Sequence, residues 1–234
     1  MNEEKKSPEI VARGPFVRWL DNYWYHYKWH TIGIAAVLIV FLVGTLSMCS
    51  REEEDLTMVY AGPTVLSVSE MEDITAVMGA LMPYDADENG DKHTAWMTYE
   101  IYSKEQLEDN SDINRSFNTE QYQTYGDYLL TGESSIYFLD PWLFEELKNA
   151  DRLMPMKDVL KDRNVEGYGI RLGDTDLYEA YEVMRLMPAD TVICLMRPYE
   201  GTPWAKSANE EAYQFECDMF RALVTFVNED ESAE

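Results

Sequence analysis

The sharpest chemical run in the chain is Asp85-Ala86-Asp87-Glu88-Asn89-Gly90-Asp91. Oxygen donors at Asp85, Asp87, Asn89 and Asp91 alternate around a glycine, the pattern with which an EF-type loop wraps calcium. That loop needs a bidentate Glu at its twelfth position, where this chain has Trp96, and a helix behind it, where the sequence reads as a strand. Asp, Asn and Gly are also ordinary turn formers. Any calcium site here is expected to be weak, in the ~10⁻⁴–10⁻³ M class of extracellular modules. No other cofactor is implied.

Catalytic chemistry has little to work with. Of the three histidines, His26 and His30 adjoin an apolar run, which leaves His93 for any Ser-His-Asp or Cys-His arrangement. No HExxH, GxSxG or Walker sequence occurs. Gly167-x-Gly169-x-x-x-Gly173 has one residue too many for a dinucleotide fingerprint. Carboxylates are so abundant that their spacing identifies no glycosidase pair. The expectation is a protein that is not an enzyme.

The elements that must position these residues begin with a membrane anchor. Residues 31–49, TIGIAAVLIVFLVGTLSMC, contain no charge over nineteen positions, enough to cross an apolar layer of about 30 Å as a helix. Lys5, Lys6, Arg13, Arg18 and Lys28 precede the run, whereas Arg51 and then Glu52 to Asp55 follow it. An excess of Lys and Arg marks the cytoplasmic side. The expectation is a single-pass protein of the cell membrane, with a cytoplasmic N-terminus and an extracytoplasmic domain. Leu46-Ser47-Met48-Cys49 has the outline of a lipobox, but Met48 stands where a small residue is needed, so the anchor is read as a retained helix. Before the run, Phe16, Trp19, Leu20, Tyr23, Trp24 and Tyr27 recur at three- and four-residue intervals. That spacing places an aromatic face at head-group level.

Charge is divided unevenly. The net charge is −25, and 40 of the 44 acidic residues but 14 of the 19 basic ones follow position 50. Such a field repels nucleic acid and anionic lipid, and it suits cations. Cys194 and Cys217 are the two cysteines beyond the anchor. They could form a disulfide or remain buried thiols.

Downstream the pattern alternates. Leu56–Tyr60, Ala95–Tyr102, Ser135–Leu139, Gly169–Leu172 and Thr191–Met196 read as strands. Glu70–Met82, a segment starting from an Asn118/Gln121 capping box, Pro141–Leu147, Asp176–Met187 and Lys206–Val227 read as helices. This predicts an α/β class with a largely parallel sheet flanked by helices. The organisation is a cytoplasmic tail (1–15), an interfacial plus transmembrane helix (16–50), an acidic linker (51–55), an extracytoplasmic α/β domain (56–228) and an acidic tail (229–234).

The segment YGDYLLTGESSIYFLDPWLFEELKNADRLMPMKDVL, residues 125–160, resembles the first lobe of bacterial extracellular solute-binding proteins of ABC importers, of the type 2 periplasmic-binding-protein class. Thr131-Gly132 fills that family's small turn after a helix and Ser135–Leu139 its strand. Leu153-Met154-Pro155-Met156 fills its apolar step. The resemblance covers about residues 55–172 and implies a single degenerate solute-binding lobe. The stretch FVRWLDNYWYHYKWHT resembles the juxtamembrane segment of uncharacterised single-span proteins of Gram-positive anaerobes. In such a lobe a ligand lies beyond the carboxyl ends of parallel strands. That rule selects Gly62 after the first strand and Asp140 and Trp142 after the third, with Trp142 able to stack on a sugar or an organic cation or to serve as a helix-start core residue. The functional expectation is a membrane-anchored binding or interaction domain. Its partners are the bilayer and a small solute or membrane complex, with no nucleic acid. The alternative is a structural or assembly subunit of the envelope with no small ligand.

Overall fold

The structure is a computed structural model that describes residues 14–49, 54–86, 89–161, 165–198 and 206–227. The chain divides into a unit of residues 1–52 and a unit of residues 53–234. The described residues of the first unit form one helix, α1 (Pro15–Cys49). Its Asn22–Thr45 stretch is long and apolar enough to cross a membrane. Near its start the rings of Phe16, Trp19, Tyr23 and Tyr27 form a continuous stack, with successive centroids 6.2, 5.7 and 5.3 Å apart. Thr31 and Thr45 return their hydroxyl protons to the Tyr27 and Phe41 carbonyls one turn earlier, so both are satisfied within the helix.

The second unit is built on five strands: β1 (Leu56–Gly62), β2 (Thr94–Glu100), β3 (Ile136–Leu139), β4 (Gly169–Arg171) and β5 (Val192–Leu195). Their order is β2-β1-β3-β5-β4. β1 runs parallel to both β2 and β3, while β5 runs antiparallel to both β3 and β4. Four of the five strands thus run in one direction, as a largely parallel sheet requires, and β5 alone is reversed, which makes the sheet mixed. The reason lies in the link from β4 to β5. A parallel return needs a crossover helix, but residues 172–191 hold only a 3-10 turn (Leu172–Asp174), the short α7 (Asp176–Ala180) and a second 3-10 turn (Glu182–Leu186). The predicted helix over 176–187 is thus broken, and the chain re-enters beside its exit point, pairing Arg171 with Val192.

Helix starts follow local chemistry. α2 (Val68–Leu81) opens on a Ser67/Glu70 capping box. α4 (Arg115–Leu129) starts earlier than the Asn118 cap predicted. Asn114 accepts from the Ser116 and Phe117 amides, and Asn118 is buried, clamping Tyr102 through both its backbone N–H and carbonyl at 2.7 and 3.2 Å. Ahead of it, α3 (Lys104–Asp109) has its own Ser103/Gln106 box, which the sequence reading missed. Asp140 and Pro141 open α5 (Pro141–Asn149) as predicted. The short α6 (Met156–Val159) precedes β4, and α8 (Glu210–Val224) closes the chain.

Both faces of the sheet are covered. Leu56, Met58 and Tyr60 enter a core shared with α2 and α8, and the intervening Val59 and Ala61 enter a second core with Tyr125 of α4 and Leu143 of α5. This is period-2 alternation with both sides dry. Cys194 belongs to the second core and Cys217 packs against the first, and both are free thiols. On α8 the buried Glu216 accepts the Ser135 amide at 3.2 Å, fastening the helix to the start of β3.

Asp55, the last residue of the expected linker, is buried. Its two carboxylate oxygens accept the Ala86 and His93 amides, each at 2.9 Å. One side chain thereby ties the acidic loop to the start of β1. Hydrogen bonds to a charged acceptor are worth ~1.5–3 kcal/mol each, so Asp55→Ala should lower the unfolding free energy by about 2–3 kcal/mol. Urea titration of the full chain in detergent, followed by tryptophan fluorescence, measures this. An unchanged midpoint would remove the clamp from the account.

Candidate ligand site at the strand ends

The connection from β1 leaves toward β2 on one side, and the chain later returns to β3 on the other. The β1/β3 junction is therefore a topological switch point, where the following loops diverge and leave a crevice. The ladder continues past the strands on both sides: Asp140 donates its amide to the Ala61 carbonyl and Ile101 donates to the Gly62 carbonyl, each at 2.9 Å. Three strand ends are thus locked in register at one edge.

Tyr60, within β1, is buried, and its phenol bends back over the strand end to accept the Thr64 amide at 3.2 Å. Gly62 makes that possible: a Cβ there would lie 2.7 Å from the Tyr60 hydroxyl. Burial pushes the Tyr60 phenol above its usual range, partly opposed by Thr64, and the charges of Asp140 and Asp190 add to the rise. Asp140 caps α5 by accepting the Trp142 amide at 3.2 Å. Burial raises its carboxyl above the ordinary range, the Trp142 bond offsets part of that, and Asp190 raises it further. Among the described residues no cation acts on it. Beside them, Tyr102 donates to Glu100 at 2.8 Å, and burial first, then that carboxylate, pushes its phenol up to about 12. Tyr102 also lies within electrostatic reach of Tyr60.

Two of the three residues expected in a ligand site, Gly62 and Asp140, meet at this edge. Trp142 goes elsewhere: its indole stacks on Tyr122 of α4, with centroids 5.9 Å apart, and joins the second core. Its Nε1 is buried with no hydrogen-bond partner among the described residues. Sequence reasoning missed Tyr60, Thr64 and Asp190. Asp190 stands two residues before β5 and reaches the carboxyl edge of β3 because β5 runs in reverse, pairing Leu139 with Val192. No residue type signals that reversal.

In the acidic loop, Asp85 accepts the Gly90 amide at 2.7 Å across the loop, and Asn89 accepts the Asp91 amide at 2.8 Å, an Asx turn around a glycine at φ 99°. Asp87 lies outside the described residues. Among the described residues no group of three or more His, Cys, Asp or Glu side chains is placed to hold a metal ion. Compared with known proteins, the chain matches no family model, no curated protein and no solved structure.

The raised Asp140 carboxyl has a pH consequence. The folded chain holds that proton more tightly than the unfolded chain, so the group stabilises the fold below the ordinary carboxylate range. That contribution is lost as pH rises through the ordinary value and then the raised one. Asp140→Asn keeps a competent helix cap and removes the charge. Its stability relative to the parent should therefore rise as pH climbs from below the ordinary carboxylate range through the raised value. A difference independent of pH would mean that Asp140 ionises as readily folded as unfolded.

Proposed function

We propose that the chain is a membrane-anchored binding module whose acidic α/β domain stands outside the cytoplasmic membrane and takes a small, positively charged solute at the β1/β3 strand ends. The observation that carries this reading is the convergence of Tyr60, Asp140 and Asp190 at the switch point, where Asp140 is raised by burial and by its acidic neighbour. A bound cation would restore the ionised carboxylate and neutralise two like charges at once. A ligand beyond the strand ends is also what the resemblance to a single solute-binding lobe implies. The role is one of binding, not catalysis.

The anchor supports the location. Val37 through Val43 each leave more than half of their surface open along α1, and lipid is the solvent that such a surface needs. Basic residues before the run and acidic ones after it favour a cytoplasmic N-terminus. Protease added to intact cells should remove the 53–234 unit, and its protection would overturn this orientation.

The ligand reading is tested by thermal unfolding of the full chain in detergent against spermidine, neutral sugars and neutral peptides. Spermidine should raise the midpoint by about RT ln(1 + [L]/Kd), and Asp140→Asn should abolish the shift while sugars leave it unmoved. A shift that survives Asp140→Asn, or none with any amine, would sink the proposal.

A further inference from the structure

We propose that the outer edge of β2 is a docking edge, which takes an extended polypeptide segment flanked by lysine or arginine as a sixth strand of the sheet. β2 is the terminal strand of the order, and its seven residues pair with β1 alone, in unbroken register. Among the described residues nothing pairs with its other side. Sheet edges are normally blunted by brevity, proline, lysine or a bulge. The opposite edge follows that rule, since β4 has three residues and ends in Arg171. β2 is charged only at its last residue, Glu100, and the six residues Thr94–Tyr99 before it carry no charge, no proline and no bulge.

The strand is held ready for pairing. Trp96 packs on Phe138 with ring centroids 5.0 Å apart, and Tyr99 packs on Tyr125 at 5.6 Å, so both faces grip the sheet. Met97, between them, is 40 % exposed. The main-chain donors and acceptors of a fixed strand, uncharged over Thr94–Tyr99, would supply affinity, as in strand addition generally.

Charge selects the occupant. Asp85 and Asp91 precede β2, with Lys92 spent on the Met82 carbonyl. Glu100 ends it, and Glu105, Glu108 and Asp109 follow, against Lys104. A second copy of this chain, paired in either direction, would set acidic ends against acidic ends in a protein of net charge −25. A segment with a neutral centre and basic ends meets complementary charge at both.

The test uses the full chain in a nonionic detergent and a labelled peptide of alternating threonine and valine with two lysines at each end, read by fluorescence anisotropy. Saturable binding is expected. Methylating every second backbone nitrogen should weaken it at least about tenfold in one of the two phases, because one phase faces the ladder. Replacing the lysines with glutamates should abolish it. Met97→Lys in the protein should weaken it too, and the methylated peptides decide the matter should that variant fold poorly. Equal binding in both methylated phases would mean adsorption to an acidic surface and would overturn the proposal. So would tight binding of the glutamate peptide, or a dimer of the chain that Met97→Lys dissociates. Asp140→Asn should leave peptide binding unchanged, which separates this edge from the solute site.

Discussion

β1 is hydrogen-bonded along both edges and buried on both faces, and the rest of the domain is arranged by that confinement. Its alternating side chains divide the interior into two cores. Its start is clamped to the acidic loop through Asp55, and its end projects Gly62 and the Tyr60 phenol into the edge where α5 begins. A strand with no solvated side has little freedom to slip, since a one-residue shift would exchange the two cores. The strand-end side chains therefore sit on the stiffest part of the domain, which suits a binding site.

The reversed β5 is the second determinant. Four strands alone would place one acid, Asp140, at the switch point. Inserting β5 in the opposite sense brings Asp190 to the same edge, and the two carboxylates acquire a shared field. The same insertion shields β3 from becoming an edge, leaving short β4 outermost on that side.

Much of this was legible in the residues. Strand alternation, the Asp140-Pro141 helix start and the apolar run of α1 each rest on local chemistry, and all three appear where that chemistry puts them. Gly62 and Asp140 were found by a positional rule that needs only strand order. What could not be read depends on contacts far apart in sequence. The direction of β5 follows from how the 172–191 link folds back, not from the apolar run Val192–Leu195. Asn118 looked like a cap because its neighbours permit one, but Asn114 took that role. The freed Asn118 amide then served the Tyr102 backbone sixteen residues away. The position of Trp142 was decided by Tyr122, one helix earlier, which offered its ring a stacking partner.

Cys194 and Cys217 occupy different cores, with the sheet between them. Neither can reach the other without dismantling the fold. The native domain is thus complete with both thiols reduced, and a disulfide between them would have to form at the expense of the two cores rather than within them.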